Sequence, residues 1–537
     1  MDFRIGINLG DVIEEGDTIY GDGVNIAARL ESIAEAGGIC ISESAYQQIK
    51  NKLPLRYDYL GEHEMKNIAE PLRVYRAQVE PEAASSKLSR EKKLAGKGLS
   101  KAALAIVAVV VIAGAVILYQ FALRPSPSKT EVASKEKMAF PLPDKPSIAV
   151  LPFTNMSDDP KQEFFCDGLT EEIINALSKL PQVFVIARNS TFTYKGKAVD
   201  VKQVGREMGV QYVLEGSIRR EGNRLRITAQ LIDALTGRHV FSERYDRELK
   251  EIFAIQDEIA IKVLTALRVA LTEGEWARFQ DRGVTNLEAY FKLLEAKELV
   301  NRVHRESNAQ ARRLAEEALA LDPRSSRAYG ILATTHFWDF WLGPPKSPDE
   351  SIRLGLEAAQ KAIALDENSP EAHGILGMLY INKGNYDEAV ESGKRGASLA
   401  PNSASAFVTY GSTLMHSSRP SEAIPVLEKA LRLSPVKPFS MSLANLGNSY
   451  RMMGKFEEAL PFYKKLLNEL PMHLSGNIGL TATYSHMGRM EDARAQAAEL
   501  MKIDPRFSLE RWSRTLRYRD PADSERVLEA LRKAGLK

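Results

Sequence analysis

The sequence predicts a multidomain chain with four structured parts: an α/β fragment, a single transmembrane helix, a second α/β domain and an all-α repeat solenoid. Three observations lead to this fold class. The chain has 537 residues, which is more than one hydrophobic core accommodates. Residues 102–123 form an uninterrupted apolar run. From about residue 286 a helical motif recurs every 34 to 36 residues, a period typical of helical repeats.

Composition excludes several classes of protein. The 72 Lys and Arg residues nearly balance the 70 Asp and Glu residues, so no strong positive field indicates a nucleic-acid partner. A hydrophobic content of 44% excludes a mainly disordered chain. Two cysteines, Cys40 and Cys166, are too few for a disulfide scaffold or a cysteine-based zinc site. No histidine falls at metal-ligand spacing, so we predict no metal site within this chain.

The N-terminal segment shows α/β patterning. Residues 3–13 alternate as in a strand, a helix is predicted over about 24–35 with Asp22 as its N-cap, and a further strand begins at residue 39. Asn25 and Arg29 lie four residues apart on the helix and therefore share one face. An amide and a guanidinium placed together can hold a polyanion. Taken alone, such a pair is more typical of a solvated helix face.

The residues around this pair carry a resemblance. The stretch FRIGINLGDVIEEGDTIYGDGVNIAARLESIAEAGGICIS, followed by LGEHEMKNIAEPLRVYRA, closely resembles the C-terminal half of class III adenylate/guanylate cyclase catalytic domains. The predicted domain covers residues 1–80. The resemblance implies that Asn25 orients the ribose of ATP and that Arg29 stabilises the charge that builds up on the phosphates. It also implies that Thr18 reads the purine edge, although threonine leaves the choice between ATP and GTP open.

The same resemblance implies a divalent cofactor and a dimer. Enzymes of this family bind two Mg²⁺ or Mn²⁺ ions through aspartates of the N-terminal half of the domain, and their active sites form at the interface of a homodimer. The sequence begins after those positions, and neither Asp11 nor Asp22 takes their place. We therefore expect the chain by itself to be inactive. Either Met1 is an internal methionine of a longer cyclase, or the segment is a remnant.

The apolar run predicts the cellular location. At about 1.5 Å per residue, a helix over 102–123 reaches about 33 Å and crosses a hydrocarbon core of about 30 Å. The preceding basic linker, residues 81–101, is richer in Lys and Arg than the Pro-rich linker over 124–145. Because the more basic flank stays in the cytoplasm, we predict a single-pass protein of the bacterial inner membrane with a cytoplasmic N-terminus and a periplasmic C-terminal region.

The region 146–273 reads as a second α/β domain. The segments IAVLPFTNMS, FFCDGLTEEIINAL and YVLEGSIRREGNRLRITAQLID resemble the TolB amino-terminal-like domain of bacterial cyclase–TPR proteins. These motifs are structural, so the resemblance implies a binding or spacer module. With no histidine near it in sequence, Cys166 is interpreted as a small buried hydrophobic residue rather than a nucleophile.

The region 286–537 contains helix–turn–helix repeats. Small residues recur at spacings of 34, 36 and 34 residues, namely Ala389, Ala423, Ala459 and Ala493. This is the signature of tetratricopeptide (TPR) repeats. We expect Gly377, Gly411 and Gly447 to admit a neighbouring helix closely. The array is expected to bind a protein or peptide ligand.

Two functional hypotheses follow. The first is a membrane-anchored class III adenylate cyclase that forms cyclic AMP from ATP and carries an extracytoplasmic TolB-like and TPR region for sensing or scaffolding. The second is a non-catalytic, membrane-anchored TPR scaffold for protein–protein interaction.

Overall fold

The computed structural model describes residues 4–9, 13–15, 18–20, 22–35, 38–50, 55–63, 71–78, 138–269, 271–272, 286–343 and 347–537. The chain divides into two compact units, Met1–Leu123 and Arg124–Lys537. The predicted linker over 81–101 and the first part of the linker over 124–145 lie outside the described residues.

The first unit is a small α/β fold. Its sheet has the order β1-β4-β6-β5, in which β1 and β4 are parallel and the other pairs are antiparallel, while β2 and β3 form a separate hairpin. The elements are β1 Ile5–Ile7, β2 Ile13–Glu15, β3 Thr18–Tyr20, α1 Asp22–Ile33, β4 Ile39–Ser42, α2 Glu43–Ile49, β5 Arg56–His63 and β6 Leu72–Gln78. Within the strand predicted over 3–13, β1 ends at Ile7 and residues 8 and 9 are not in a strand, whereas β4 begins at residue 39 as predicted.

The second unit begins with a mixed sheet of order β12-β11-β10-β7-β9, with β8 beside β10. Gly222, at φ +57, forms the tight turn between β10 and β11. The elements are β7 Ser147–Val150, β8 Thr154–Asn155, α3 Glu163–Ser178, β9 Phe184–Val185, α4 Arg188–Thr191, α5 Val201–Met208, β10 Tyr212–Glu221, β11 Arg224–Asp233, β12 Arg238–Glu248 and α6 Ile252–Ala266.

Helix pairs follow the sheet. They are α7 Leu287–Asn301, α8 Arg305–Leu321, α9 Ser326–Leu342, α10 Pro348–Leu365, α11 Pro370–Lys383, α12 Tyr386–Leu399, α13 Ala404–His416, α14 Pro420–Leu433, α15 Ser440–Met452, α16 Phe456–Glu469, α17 Leu474–His486, α18 Met490–Ile503, α19 Leu509–Ser513 and α20 Pro521–Lys533. Consecutive helices pack against each other, as the repeat period predicts.

The sheet and the helix array share hydrophobic cores. One face of the sheet packs against α3 and α6, where Leu169 and Ile259 are fully buried. On the other face, Val204 and Val213 lie in one cluster with Leu433 of the array. The α/β region and the repeats therefore form one compact unit rather than two separately packed bodies.

The predicted fold class and cellular location need a correction. Every helix that the structure describes is too short or too polar to cross a membrane. The longest, α10 with 18 residues, carries Asp349, Glu350 and Arg353 in its first half, whereas a spanning helix needs about 20 mostly apolar residues. The predicted transmembrane helix over 102–123 lies outside the described residues. The single-pass inner-membrane assignment is therefore wrong as a description of this structure and is withdrawn.

Close helix contacts at glycine confirm the predicted role of small residues in the array. A Cβ atom on Gly447 would lie 2.6 Å from the ring of Tyr463, and one on Gly479 would lie 2.3 Å from the same ring. Tyr463 cannot easily move away, because it is fully buried and its hydroxyl donates a hydrogen bond to Asn448 at 2.8 Å. The two glycines therefore form the slot that the tyrosine fills.

Replacing Gly479 by alanine is expected to destabilise the array by about 1–3 kcal/mol, because the added methyl group overlaps the ring of Tyr463. The matched control is Gly330→Ala in α9, since a Cβ there meets no atom within 4 Å. That change should be neutral or slightly stabilising, because alanine favours the helix over glycine. Urea unfolding of the two variants measures both effects. Equal free energies of unfolding for the two variants would contradict the close packing of Tyr463 against Gly479.

The C-terminal segment folds back onto earlier repeats. The backbone N–H of Arg519 donates to the carbonyl of His416 at 2.9 Å, and the imidazole Nδ1 of His416 donates to the carbonyl of Arg517 at 2.9 Å. Arg519 also forms an exposed ion pair with Asp387. Burial lowers the pKa of His416 to about 4. The neutral imidazole is therefore the form that holds this segment.

Stability of the second unit is expected to fall as the pH is lowered from about 6.5 to about 4. In that window His416 takes up a proton only when the chain unfolds, which changes the unfolding free energy by about 1.4 kcal/mol per pH unit for each such proton. An asparagine at position 416 keeps a neutral hydrogen-bond donor but does not titrate. H416N should therefore lower the pH dependence of the unfolding free energy by the contribution of one proton. Urea unfolding at several pH values tests this, and an unchanged slope would rule out the role of His416.

Candidate functional site

Helix α1 carries two of the three predicted site residues, Asn25 and Arg29, and the third, Thr18, lies in the adjacent strand β3. Strand β3 contacts α1, so the structure brings the elements that carry all three positions together. Arg29 is half-buried. Positions 25 and 29 are one helical turn apart and share a face, as the spacing predicts.

Packing fixes the position of α1 on the sheet. Leu30 is fully buried and lies in a cluster with Cys40 and Val74 of the strands. Strand β1 approaches the helix very closely, since a Cβ on Gly6 would lie 2.1 Å from the carbonyl oxygen of Ala27. Only glycine permits this approach. The helix backbone that carries Arg29 is therefore held against a rigid support.

The described residues do not provide a site for the implied divalent cofactor. Among them, no three His, Cys, Asp or Glu side chains lie close enough together to hold a metal ion. Asp11 lies outside the described residues, and Asp22 is the first residue of α1 rather than the residue before it. We therefore derive no reaction step through a metal bound by these residues.

A second group of charged residues lies where α3 meets the repeats. Glu171 pairs with Lys297 of α7 at 2.7 Å and with Arg188 of α4 at 3.2 Å. The neighbouring Glu172 pairs with Arg327 of α9. The exposed fractions of the two glutamate side chains are only 16% and 18%, so water screens these ion pairs weakly. We call this group the α3 ion-pair network.

Three members of the network, Glu171, Lys297 and Arg327, stay charged. Burial acts to raise the pKa of Glu171, but the adjacent Lys297 and Arg188 outweigh it and lower that pKa. Burial acts to lower the pKa of Lys297, but Glu171 outweighs it and raises that pKa. Each ion thus stabilises its partner's charged form.

Sequence reasoning missed this network. Its ion pairs join α3 to residues more than 100 positions away, Glu171 to Lys297 and Glu172 to Arg327. No local pattern marks the network, because the burial of Phe165, Thr170 and Ile174 around more of the helix than one face is known only from the structure. Cys166 of the same helix is fully buried and burial raises the pKa of its thiol to about 12, which confirms its interpretation as a packing residue.

The comparisons indicate the class of protein: a chain whose N-terminal segment is similar to nucleotide cyclase catalytic domains and whose C-terminal region contains TPR repeats. Residues 1–77 match the family model of the adenylate and guanylate cyclase catalytic domain. Residues 358–391 and 442–477 match tetratricopeptide repeat models. Both resemblances are confirmed at this level. Residues 144–262 match the second domain of HilA/YgeH-like transcriptional regulators, and the predicted TolB-like identity is not shown.

The chain is similar to several known proteins. The putative adenylate cyclase 3 of Rhizobium meliloti (strain 1021) is 40% identical over 359 residues, which are 66% of this chain and 54% of that protein. An adenylate/guanylate cyclase/hydrolase from Silicibacter pomeroyi of known crystal structure is 44% identical, with 15% of this chain and 46% of that chain covered and a TM-score of 0.14. A thermophilic TPR protein from Thermus thermophilus is 21% identical, with 37% of this chain and 98% of that chain covered and a TM-score of 0.30.

The chain spans about half the length of the two cyclase relatives. The activity, substrate and partners of a whole cyclase are therefore proposals for this chain.

Proposed function

We propose that this chain contributes α1 to the active site of a class III adenylate cyclase, which forms cyclic AMP from ATP at the interface of a dimer. The observation that carries the proposal is Arg29, half-buried on a helix held against the sheet by Gly6 and Leu30, within a segment that matches the cyclase family model. The identity of 40% to a putative adenylate cyclase supports it.

The proposed reaction is an intramolecular phosphoryl transfer. The 3′-hydroxyl of the ribose releases its proton to water and its oxygen bonds to the α-phosphorus, the bond from that phosphorus to the bridging oxygen breaks, and pyrophosphate leaves. Negative charge grows on the phosphate oxygens during this exchange, and a fixed guanidinium at Arg29 stabilises it. Asn25 orients the ribose so that its 3′-oxygen lines up with the phosphorus. Thr18 contacts the purine edge.

Cyclase domains of this family normally use divalent metal ions, Mg²⁺ or Mn²⁺. Because the described residues do not offer the ligands, the proposal assigns the metal-binding carboxylates to residues outside them.

A complementation assay tests the proposal. The full chain is mixed with the Rhizobium meliloti relative in which the residue equivalent to Arg29 has been replaced by alanine, and cyclic AMP is measured with ATP and Mg²⁺ or Mn²⁺. We expect product only when both chains are present. Replacing ATP by GTP in a parallel reaction tests the substrate. If cross-linking shows a mixed dimer and no cyclic nucleotide forms, the catalytic proposal fails.

A second candidate function is a non-catalytic scaffold that binds a protein partner through the repeats. An apolar groove in the last repeats favours it: Leu467, Pro471 and Ile503 line the groove, and Met472 beside them is 72% exposed. A strain that carries only R29A distinguishes the two functions. Its phenotype should match the wild type if the chain is a scaffold and a deletion if it is a cyclase.

A further inference from the structure

Strand β12 forms one edge of the mixed sheet. It pairs with β11 on one side, and among the described residues no strand pairs with its other side. The register shifts between Leu231 and Ile232 of β11, and this bulge leaves Val240 as an extra residue on β12. Beyond the bulge, β12 runs regularly from Phe241 to Glu248. This stretch therefore presents a row of backbone N–H and C=O groups at the edge of the sheet.

The edge is well supported and has few features that prevent pairing. Tyr245 is buried in the core that also contains Ile255 and Ile259 of α6, and this packing holds the middle of β12 on the sheet. Exposed edges are often protected by proline or lysine, and β12 contains neither residue. The backbone of β12 can therefore accept an added strand.

The charges of β12 are self-complementary. In an antiparallel pair of two copies with Tyr245 opposite Tyr245, Arg244 is opposite Asp246, and Glu243 is opposite Arg247. The two-fold symmetry of such a pair gives each of these contacts twice. Centring the pair at position 244 or 246 would instead place Arg244 or Asp246 opposite its own copy, and like charges directly opposite each other are destabilising. The order of the charges therefore favours one register.

These charges already have partners within the chain, and none of them has to be free for the strands to pair. The ion pairs are Arg226–Asp246, Arg244–Asp246, Lys262–Glu243, Arg247–Glu251 and Arg247–Glu258. Every side chain in them is at least 34% exposed, and such pairs contribute about 0–1 kcal/mol, so keeping, sharing or exchanging them costs little. The attraction comes from backbone hydrogen bonds along the edge, and the charges select the register.

We propose that β12 is a homodimer interface, at which the β12 strands of two copies of this chain pair antiparallel about Tyr245. The two sheets then form one continuous sheet. Residues directly opposite each other in a sheet share a face, so the α6 helices of both copies lie on the same face. The interface belongs to the second unit and forms whether or not the chain takes part in a cyclase.

Disulfide cross-linking of the full chain tests the register. S242C and E248C are prepared separately, because these exposed positions are opposite each other in the proposed pair, with Cα atoms about 4.5–5.5 Å apart, which suits a disulfide. In a dimer of one variant alone, the two cysteines are six residues apart along the strands, or about 20 Å. Both native cysteines are buried, so the wild type gives the background. We expect oxidation of the mixture to yield at least about tenfold more cross-linked dimer than either variant alone.

Charge reversal provides a second test. R244E gives two acidic pairs across the interface and D246K gives two basic pairs, so each variant alone should dimerise at least about tenfold more weakly than the wild type. A mixture of the two variants restores opposite charges at both positions and should dimerise again. R353E, a reversal on the exposed face of α10, should have no effect. Sedimentation velocity measures the mass, and circular dichroism shows that each variant is folded.

Three results would overturn the proposal. These are the absence of a cross-linked dimer from the mixed cysteine variants, equal cross-linking of either cysteine variant alone, and dimerisation of R244E that equals that of the wild type. If a charge variant does not fold, the cysteine variants still decide, because they keep the four central charges. None of these readouts depends on nucleotide turnover, so the proposed cyclase activity is tested separately.

Discussion

Replacing Arg29 by alanine is expected to reduce cyclic AMP formation in the complementation assay by about 10²–10³-fold. The guanidinium is proposed to face charge that develops only as the 3′-oxygen attacks, and removing one such preorganised donor typically costs this much in rate. The loss should appear in kcat, because the interaction strengthens in the transition state rather than in the bound substrate.

The conservative change R29K is the control for this result. Lysine keeps the charge but loses the forked geometry of the guanidinium, so its rate should fall between the wild type and R29A. Because Arg29 is only half-buried, both variants should keep the wild-type circular dichroism spectrum. Equal rates for R29A and the wild type would exclude Arg29 from the reaction.

Replacing Glu171 by alanine is expected to destabilise the second unit by about 3 kcal/mol. The change leaves Lys297 without its carboxylate partner in a mostly buried position, and an uncompensated buried charge is costly, whereas Arg188 keeps its ion pair with Glu298. Urea unfolding followed by tryptophan fluorescence measures the loss. Hydrogen exchange should also show faster exchange of the amides of α3, because this helix loses its ionic contact with Lys297 and keeps only that of Glu172 with Arg327.

The matched control for E171A is R353A. Arg353 pairs with Glu350 and Glu357 on the exposed face of α10, and exposed ion pairs contribute little to stability. Its unfolding midpoint should equal that of the wild type. The pH adds a second test for Glu171: because its pKa is lowered by folding, its contribution is present above about pH 4.5 and is lost as the pH falls further. If E171A unfolds like R353A, the network does not join α3 to the array.

Local features of the chain were predictable from the sequence. The helix predicted over about 24–35 is present as α1, Asp22–Ile33. The start of β4 at residue 39 was predictable as well, since glycines precede an apolar run. The prediction of one long strand over 3–13 was wrong. The alternation of apolar and polar residues continues beyond Ile7, where β1 ends, and alternation alone does not show which strand a segment pairs with.

The sequence by itself determined the repeat period, the cyclase resemblance and the pairing of Asn25 with Arg29 on one helical turn, since each depends on spacing along a few turns or on a contiguous motif. Only the tertiary structure decided that Glu171 and Glu172 face Lys297 and Arg327. Those facts depend on how segments more than 100 residues apart pack together. No local pattern specifies such an arrangement, because the packing energy belongs to the whole unit rather than to any one segment.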